Sequence, residues 1–395
     1  MELYERKILK EIEKLIDKKT IIVVTGMRRV GKTTLFNIIF NKIKSDNKVF
    51  LDIENPIIQK IFQEDNYDNI LLNLKSYGID STKKVYIFLD EIQAMPSIVK
   101  SIKYLSDHYD LQFFLTGSSS FYFKGLFPES LAGRKTIFEL FPLDFEEFLI
   151  FKNIKKEFYN HFKDKENNKN YIDYQKIIKA YEEYLEYGGF PQVVLAESIE
   201  EKKQILQDIF KSYFEKEVRF VSDFKEIDTL RDFILILMPR AGSKISISKI
   251  SSELGITRRI AHSYLSFLEA TYFISLITPF SRSMDREISG TKKVYFCDTG
   301  LLNNLAKLSS GAILENAVFN CLRTKGKINY YQRRSGAEID FILNELGVAI
   351  EVKERGTIFD REKILKMLND LNLKEGYVIS KSFVKDKGFI CASDI

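Results

Sequence analysis

Residues 20–34 read TIIVVTGMRRVGKTT, and the rest of the fold can be worked out from this stretch. Thr20–Thr25 is a β-branched run closed by Gly26, which predicts a short, fully buried strand. Gly26–Thr33 then satisfies G-x-x-x-x-G-K-[ST] at every fixed position. The pattern that follows predicts a helix over about 32–44. A strand, a glycine loop and a helix in that order form a cradle for phosphate. Backbone N–H groups curl round the phosphate oxygens, and the helix N-terminus adds its dipole. Lys32 supplies a point charge to the β- and γ-phosphates, and the Thr33 hydroxyl a ligand to Mg2+. The predicted contact set is Gly26, Arg28, Arg29, Val30, Gly31, Lys32, Thr33 and Thr34, with Arg28 and Arg29 given no individual roles. The implied ligands are ATP and Mg2+.

Further along, VYIFLDEIQ (Val85–Gln93) carries four apolar strand residues into Asp90 and Glu91. An acid at such a strand end holds Mg2+, and a second beside it orients and deprotonates the attacking water. The strand Leu111–Thr116 ends in TGSSS, which makes Thr116 the candidate for touching the γ-phosphate or the lytic water, with Ser118 behind it. Arg134, in SLAGRK, is the candidate charge-stabilising arginine, acting in cis or from a neighbouring subunit. The same residues also fit a helix-capping acid pair, a Gly-Ser turn and a surface arginine. Strands alternating with helices predict an α/β domain with a mainly parallel sheet over residues 1–150.

Residues 151–240 predict a helical connector, with 152–170 a polar insertion or linker and a helix at 171–187 stopped by Gly188-Gly189. Residues 241–300 have the order of a winged helix-turn-helix: helix 246–254, a turn at 255–257, helix 258–270, then two strands flanking a polar loop. Residues 240–293 hold nine basic and four acidic side chains, an excess that equals the net charge of +5 for the whole chain. Arg258 and Arg259 start the second helix, and Arg282 and Arg286 fall on the wing. This predicts contact with double-stranded DNA. A winged helix used for packing or oligomerisation has the same pattern.

Residues 301–395 read helix, three strands, helix, strand and a short final strand. Asp340 and Glu351 lie on the two arms of a hairpin, with Lys353 on the same face as Glu351, and Glu315 sits on the preceding helix. Acids that hold a metal and a lysine that positions water or stabilises charge suit a metal-assisted phosphodiester cut. A solvated hairpin with a surface ion pair fits the spacing too.

Composition sets outer bounds. With 395 residues, two to four domains are expected, and 45% apolar with 29% charged residues excludes a disordered chain. No apolar run approaches a bilayer span, and the first residues show no signal peptide, which predicts a cytoplasmic protein without membrane contact. Three cysteines and three scattered histidines give no disulfide framework and no metal motif.

Taken together, GMRRVGKT, FLDEIQ, TGSSS, the AGR turn, YGGFP (187–191) and AEID…IEVK resemble a prokaryotic family of AAA-type P-loop ATP-binding proteins with a C-terminal PD-(D/E)xK nuclease-like domain. The resemblance spans essentially the whole chain. It implies an ATPase core and a restriction-endonuclease-like tail. Nucleotide and Mg2+ roles then fall on Lys32, Thr33, Asp90 and Glu91, and nuclease roles on Glu315, Asp340, Glu351 and Lys353. Ile339 stands where the family pattern has proline. Two readings follow: an ATPase whose cycle drives a DNA-cutting tail, or a nucleotide-state switch that binds DNA or a partner with a silent tail. A homo-oligomer that completes the ATP site through Arg134 belongs to either.

Overall fold

The computed structural model describes residues 4–117, 131, 133–218, 227–281, 283–333 and 336–395. It divides into two compact units. One comprises the chain up to Phe141 together with Ala270–Tyr272, the other Pro142–Glu269 and Phe273–Ile395.

The first unit is built on five parallel strands: β1 (Ile21–Thr25), β2 (Lys48–Asp52), β3 (Val85–Asp90), β4 (Leu111–Gly117) and β5 (Lys135–Glu139), in the order β2-β3-β4-β1-β5. Every residue of β1 and β3 is buried, as expected of strands covered on both faces. Alternation sorts their side chains. Phe88 and Phe114 stack at 4.1 Å on one face, where Phe36 of the helix Lys32–Lys42 meets Phe88 edge-on at 5.5 Å. Ile87, Leu89, Phe113 and Leu115 point to the other face, into a core completed by Ile98, Ile102 and Leu105 of the helix Ile98–His108. Burying each large apolar side chain contributes about 1.5–3 kcal/mol, so the helix after the glycine loop is pinned to the sheet. Strand β5 was not anticipated in the sequence.

The second unit begins with helices and ends with a sheet. The helix Tyr171–Tyr187 is capped by Asn170, whose side chain accepts from the Ile172 and Asp173 amides, and it stops at Gly188 with φ 77°. The segment read as a linker contains a helix, Phe162–Asn168, because Phe162 is buried and stacks on Tyr377 at 5.7 Å. The helix Ile247–Leu254 is capped by Ser246 and ends at left-handed Gly255; the helix Arg258–Ala270 follows.

Seven strands follow: β6 (Ile274–Pro279), β7 (Lys293–Phe296), β8 (Ile328–Gln332), β9 (Glu338–Leu343), β10 (Val348–Lys353), β11 (Glu375–Ser380) and β12 (Phe389–Cys391). Their order is β12-β11-β10-β9-β8-β6-β7. Ile274–Ile277 of β6 pair antiparallel with β7, while Thr278 and Pro279 pair with Asn329 and Tyr330 of β8. One sheet therefore runs across the boundary expected near residue 300. The expected polar wing loop holds a helix, Met284–Ser289. Among the described residues no helix is long and apolar enough to cross a membrane.

Candidate functional site

At the C-terminal end of β1 the chain turns sharply. A Cβ on Gly26 would lie 2.0 Å from the Leu140 carbonyl oxygen, so only glycine allows this approach. Arg29 (φ 63°) and Gly31 (φ 96°) adopt left-handed conformations and bend the loop into the helix Lys32–Lys42. Lys32 is buried and folds back over its own loop, its Nζ donating to the Gly26 and Met27 carbonyls at 3.0 Å each. Arg28 lies 3.7 Å from Glu54. A residue absent from the sequence reading braces the outside. Arg6, 7% exposed, donates to the Val30 carbonyl at 2.8 Å and to the Phe141 carbonyl at 2.7 Å. A lone arginine in an amphipathic lead-in gives no signal of such a role.

Beside the loop, Asp90 ends β3. Its Oδ2 accepts from the Thr33 hydroxyl at 2.7 Å, and its Oδ1 accepts from the buried Thr116 hydroxyl of β4. Burial raises the Asp90 carboxyl above its ordinary range; the Thr116 and Thr33 hydrogen bonds pull it back, Glu91 raises it further and Lys32 lowers it. Glu91 sits at φ 54°, its amide donating to Thr116 Oγ1 at 3.0 Å and its carboxylate accepting from Gln93. Thr25 Oγ1, where the loop begins, is buried with no hydrogen-bond partner among the described residues. The sequence-predicted Lys32, Thr33, Asp90, Glu91 and Thr116 are thus brought together. The donor set of hydroxyl and carboxylate oxygens, with one orphaned hydroxyl beside it, fits a hard divalent cation and phosphate.

Arg134 is not brought there. Its carbonyl accepts from Ile21 N at 2.8 Å, at the opposite end of β1 from the glycine loop, and its Nε donates to Asp107 at 2.8 Å. A position in cis over the loop is excluded by the register, which sets Lys135 beside Ile21 and Glu139 beside Thr25. Ser118 and Arg282 lie outside the described residues.

In the second unit, acids gather on the sheet. Asp340 of β9 is buried and accepts from the Val352 amide at 2.7 Å. Glu351 of β10 accepts from Lys363 at 2.7 Å and lies 2.9 Å from Lys353. Glu315, on the helix Ser310–Leu322, accepts from the Tyr295 hydroxyl at 2.7 Å and lies 3.5 Å from Lys293, which also pairs with Glu338. Burial pushes the Asp340 carboxyl well above its usual range, and the neighbouring Glu315 and Glu351 charges add to that, against the pull of Lys293. Burial also raises Glu315, against Lys293 and the Tyr295 hydroxyl. Among the described residues no three His, Cys, Asp or Glu side chains form a ready metal cage. The expected set of Glu315, Asp340 and Glu351 is therefore not preformed: Lys293 and Tyr295 draw Glu315 to one side, and Lys353 and Lys363 hold one oxygen of Glu351. The other oxygen, Glu351 Oε2, is buried with no hydrogen-bond partner among the described residues. Asp340 and Glu351 alone fit a cation.

Arg258, Arg259, His262, Ser263 and Ser266 form one exposed face of the helix Arg258–Ala270, opposite buried Ala261, Tyr264, Leu265 and Leu268. Arg286 is exposed on the helix Met284–Ser289. The YGGFP motif has a structural partner that spacing could not reveal. Asp298 Oδ2 accepts from the Gly189 amide at 2.6 Å and Oδ1 from the Leu301 amide at 3.1 Å. A Cβ on Gly188 would fall 2.1 Å from that carboxylate.

Comparison with known proteins places three family models end to end: an AAA domain at residues 18–149, a domain of unknown function (DUF8612) at 178–312 and another (DUF4143) at 310–387. The chain is 31% identical to the uncharacterized protein MJ1544 of Methanocaldococcus jannaschii, over 91% of this chain and 81% of that one. It is 26% identical to an uncharacterized protein of Haemophilus influenzae, over 93% and 90%. Among solved structures, it is similar to the Walker-type ATPase PABY2304 of Pyrococcus abyssi at 15% identity, with 76% of this chain and 95% of that one covered and a TM-score of 0.44. The chain belongs to the family of MJ1544, with an AAA domain at its front and two domains of unknown function behind.

Proposed function

We propose that the chain binds ATP with Mg2+ at the glycine loop and hydrolyses the terminal phosphoanhydride. One observation carries this reading: the Thr33 hydroxyl, the Asp90 carboxylate and the Thr116 hydroxyl form an unbroken hydrogen-bonded row beside the loop. When bound, Mg2+ would neutralise charge developing on the phosphates. Thr33 and Asp90 are the residues that would hold it. Lys32 leaves the Gly26 and Met27 carbonyls and turns its ammonium to the phosphates. Glu91, fixed through its amide by Thr116 and through its carboxylate by Gln93, takes the proton of the attacking water. Phosphate release from ATP tests the reading, in Mg2+ and after chelation, for wild type, Lys32→Ala and Asp90→Asn. Release is expected to need the metal and both side chains; release unaffected by Lys32→Ala rejects the site.

A second activity, metal-dependent phosphodiester cleavage in the C-terminal domain, is favoured by the unpartnered Glu351 Oε2 beside Asp340. Asp340 and Glu351 would hold the cation, and the Lys353 ammonium orients water or stabilises the charge on the phosphate. Arg258, Arg259 and Arg286 supply exposed cations for a DNA backbone. Nicking of supercoiled plasmid in Mg2+ or Mn2+ is expected for wild type and lost in Asp340→Ala. No nicking by wild type, with or without ATP, leaves the other reading: a nucleotide-state switch with a silent tail.

A further inference from the structure

A cavity of about 300 Å3 lies in the second unit, lined by Lys155, Lys156, Lys165, Lys169 and Lys176 and walled by Phe158 and Tyr174. Three acids also line it, Glu157, Asp173 and Asp394, so the lysines are in excess. Their donors are incompletely used. An ammonium carries three N–H donors. Lys165, 4% exposed, donates to the Asp394 carbonyl and, at 3.4 Å, to the main-chain oxygen of Ile395. Lys169 donates to the Asp386 carbonyl and, at 2.9 Å, to the Phe389 carbonyl. Lys156 donates to the Ser393 carbonyl at 3.2 Å and pairs with Asp394. Lys165 and Lys169 therefore each keep one donor without a protein acceptor among the described residues, while the Lys156 ammonium also lies 4.9 Å from the Phe158 ring centroid. Lys176 is held by Asp173 at 3.0 Å, and exposed Lys155 makes no ion pair among the described residues. Burial, with the nearby Lys325 charge, pushes the Lys165 ammonium down to about 8, and burial also lowers Lys169; an anion in the cavity relieves both.

Unused ammonium donors call for a phosphate, and aromatic walls call for a flat ring. The volume sits at the lower end of the range for small-ligand pockets, right for one nucleotide unit and too small for a folded partner. We propose that this cavity binds a mononucleotide, separately from the glycine loop, with its phosphate on Lys165 and Lys169 and its base against Tyr174.

Full-length protein carrying Lys32→Ala, which disables the glycine loop, is titrated calorimetrically with AMP, adenosine and inorganic phosphate. AMP is expected to bind more tightly than either fragment. Lys169→Glu and the solvent-exposed Lys155→Glu are each expected to weaken AMP by about tenfold or more. Lys155→Glu tests the charge without disturbing the core. In parallel, amine labelling of Lys165 at pH 8, read by peptide mass spectrometry, is expected to slow when AMP is present. No AMP binding at about 1 mM, equal affinity for AMP and inorganic phosphate, AMP binding unchanged in both lysine variants, or Lys165 labelling unaffected by AMP overturns the proposal.

Discussion

The glycine-loop site and the C-terminal carboxylate cluster both set a buried aspartate at or near a strand end beside a lysine, yet they balance charge in opposite ways. Asp90 is served by two neutral hydroxyls, Thr33 and Thr116, while Lys32 spends its donors on loop carbonyls. The acids of the second cluster are met by ammonium groups already in place: Lys293 on Glu315 and Glu338, Lys353 and Lys363 on Glu351. A buried carboxylate without a counter-charge is costly, and a cation from outside relieves it. The first site therefore meets its buried acid with neutral hydroxyls, the arrangement that a bound cation would relieve. The second is largely neutralised from within, and among the described residues Glu351 Oε2 is a buried oxygen of it without a hydrogen-bond partner.

The largest expected effect follows from that difference. Lys32→Ala removes the ammonium at the first site and should lower phosphate release from ATP by about 10²-fold or more, the cost of removing one preorganised charge-stabilising donor. Lys353→Ala should leave the same rate unchanged. Equal losses in the two variants would break the contrast between a lysine bonded to neutral loop carbonyls and one paired with an acid in the fold.

A third buried acid serves as an internal reference, since Asp298 has backbone amides as its hydrogen-bond donors. Burial raises its carboxyl from 3.8 to about 6, against those amides. The folded state then binds the proton more tightly than the unfolded chain. Stability from this group is full below about pH 4 and falls by about 3 kcal/mol as pH rises to about 6. Denaturant unfolding at pH 4.5 and 6.5 should show about 2 kcal/mol of this fall in wild type and a smaller change in Asp298→Asn. Equal slopes would mean that the amides stabilise the anion enough to cancel burial.

Asp340 should behave differently because its neighbours are charged. Burial and the Glu315 and Glu351 charges raise its carboxyl, so its ionisation costs stability as pH rises above the ordinary carboxylate range. Asp340→Asn keeps an acceptor for the Val352 amide and removes one repelling charge. In chelator it should stabilise the fold by about 1–3 kcal/mol, read as a rise in Tm. Millimolar Mn2+ should raise the Tm of wild type more than that of the variant. A wild-type Tm blind to metal would make this cluster wholly self-neutralised.

Much of the first site could be read from the sequence because its signal is local. GMRRVGKT occupies consecutive positions, and LDE and the strand ending at Thr116 announce themselves by apolar runs. What brings Thr33, Asp90 and Thr116 into one row is parallel register, which the βαβ order already implies. The second cluster was less legible. Glu351 and Lys353 on one face follow from alternation, but Lys293 and Lys363 reach the acids from remote segments, and no spacing rule links them. Arg6 shows the same limit from the other side, since its acceptors are carbonyls of Val30 and Phe141 and carbonyls leave no mark on sequence. The continuous sheet through β6 and β8 was hidden because Thr278 and Pro279 look like the end of a wing strand. The helix Phe162–Asn168 was hidden by polar composition, with Phe162 and the stem of Lys165 its buried anchors.

The smallest expected effect concerns Arg134, whose place in the fold excludes the reading in cis and fits that of a surface arginine. AGR beside a phosphate site invites an arginine that reaches the nucleotide, but parallel pairing of β1 with β5 puts Arg134 at the strand end remote from the loop. There its guanidinium forms a half-exposed pair with Asp107, of a kind worth about 0–1 kcal/mol. Arg134→Ala should therefore change phosphate release by less than about twofold at any protein concentration and move Tm only slightly. A loss of about 10²-fold that grows with protein concentration would assign the arginine to ATP bound by a second copy, since the first copy's own register keeps it away. The concentration series separates these outcomes, because chemistry within one chain has no second-order term.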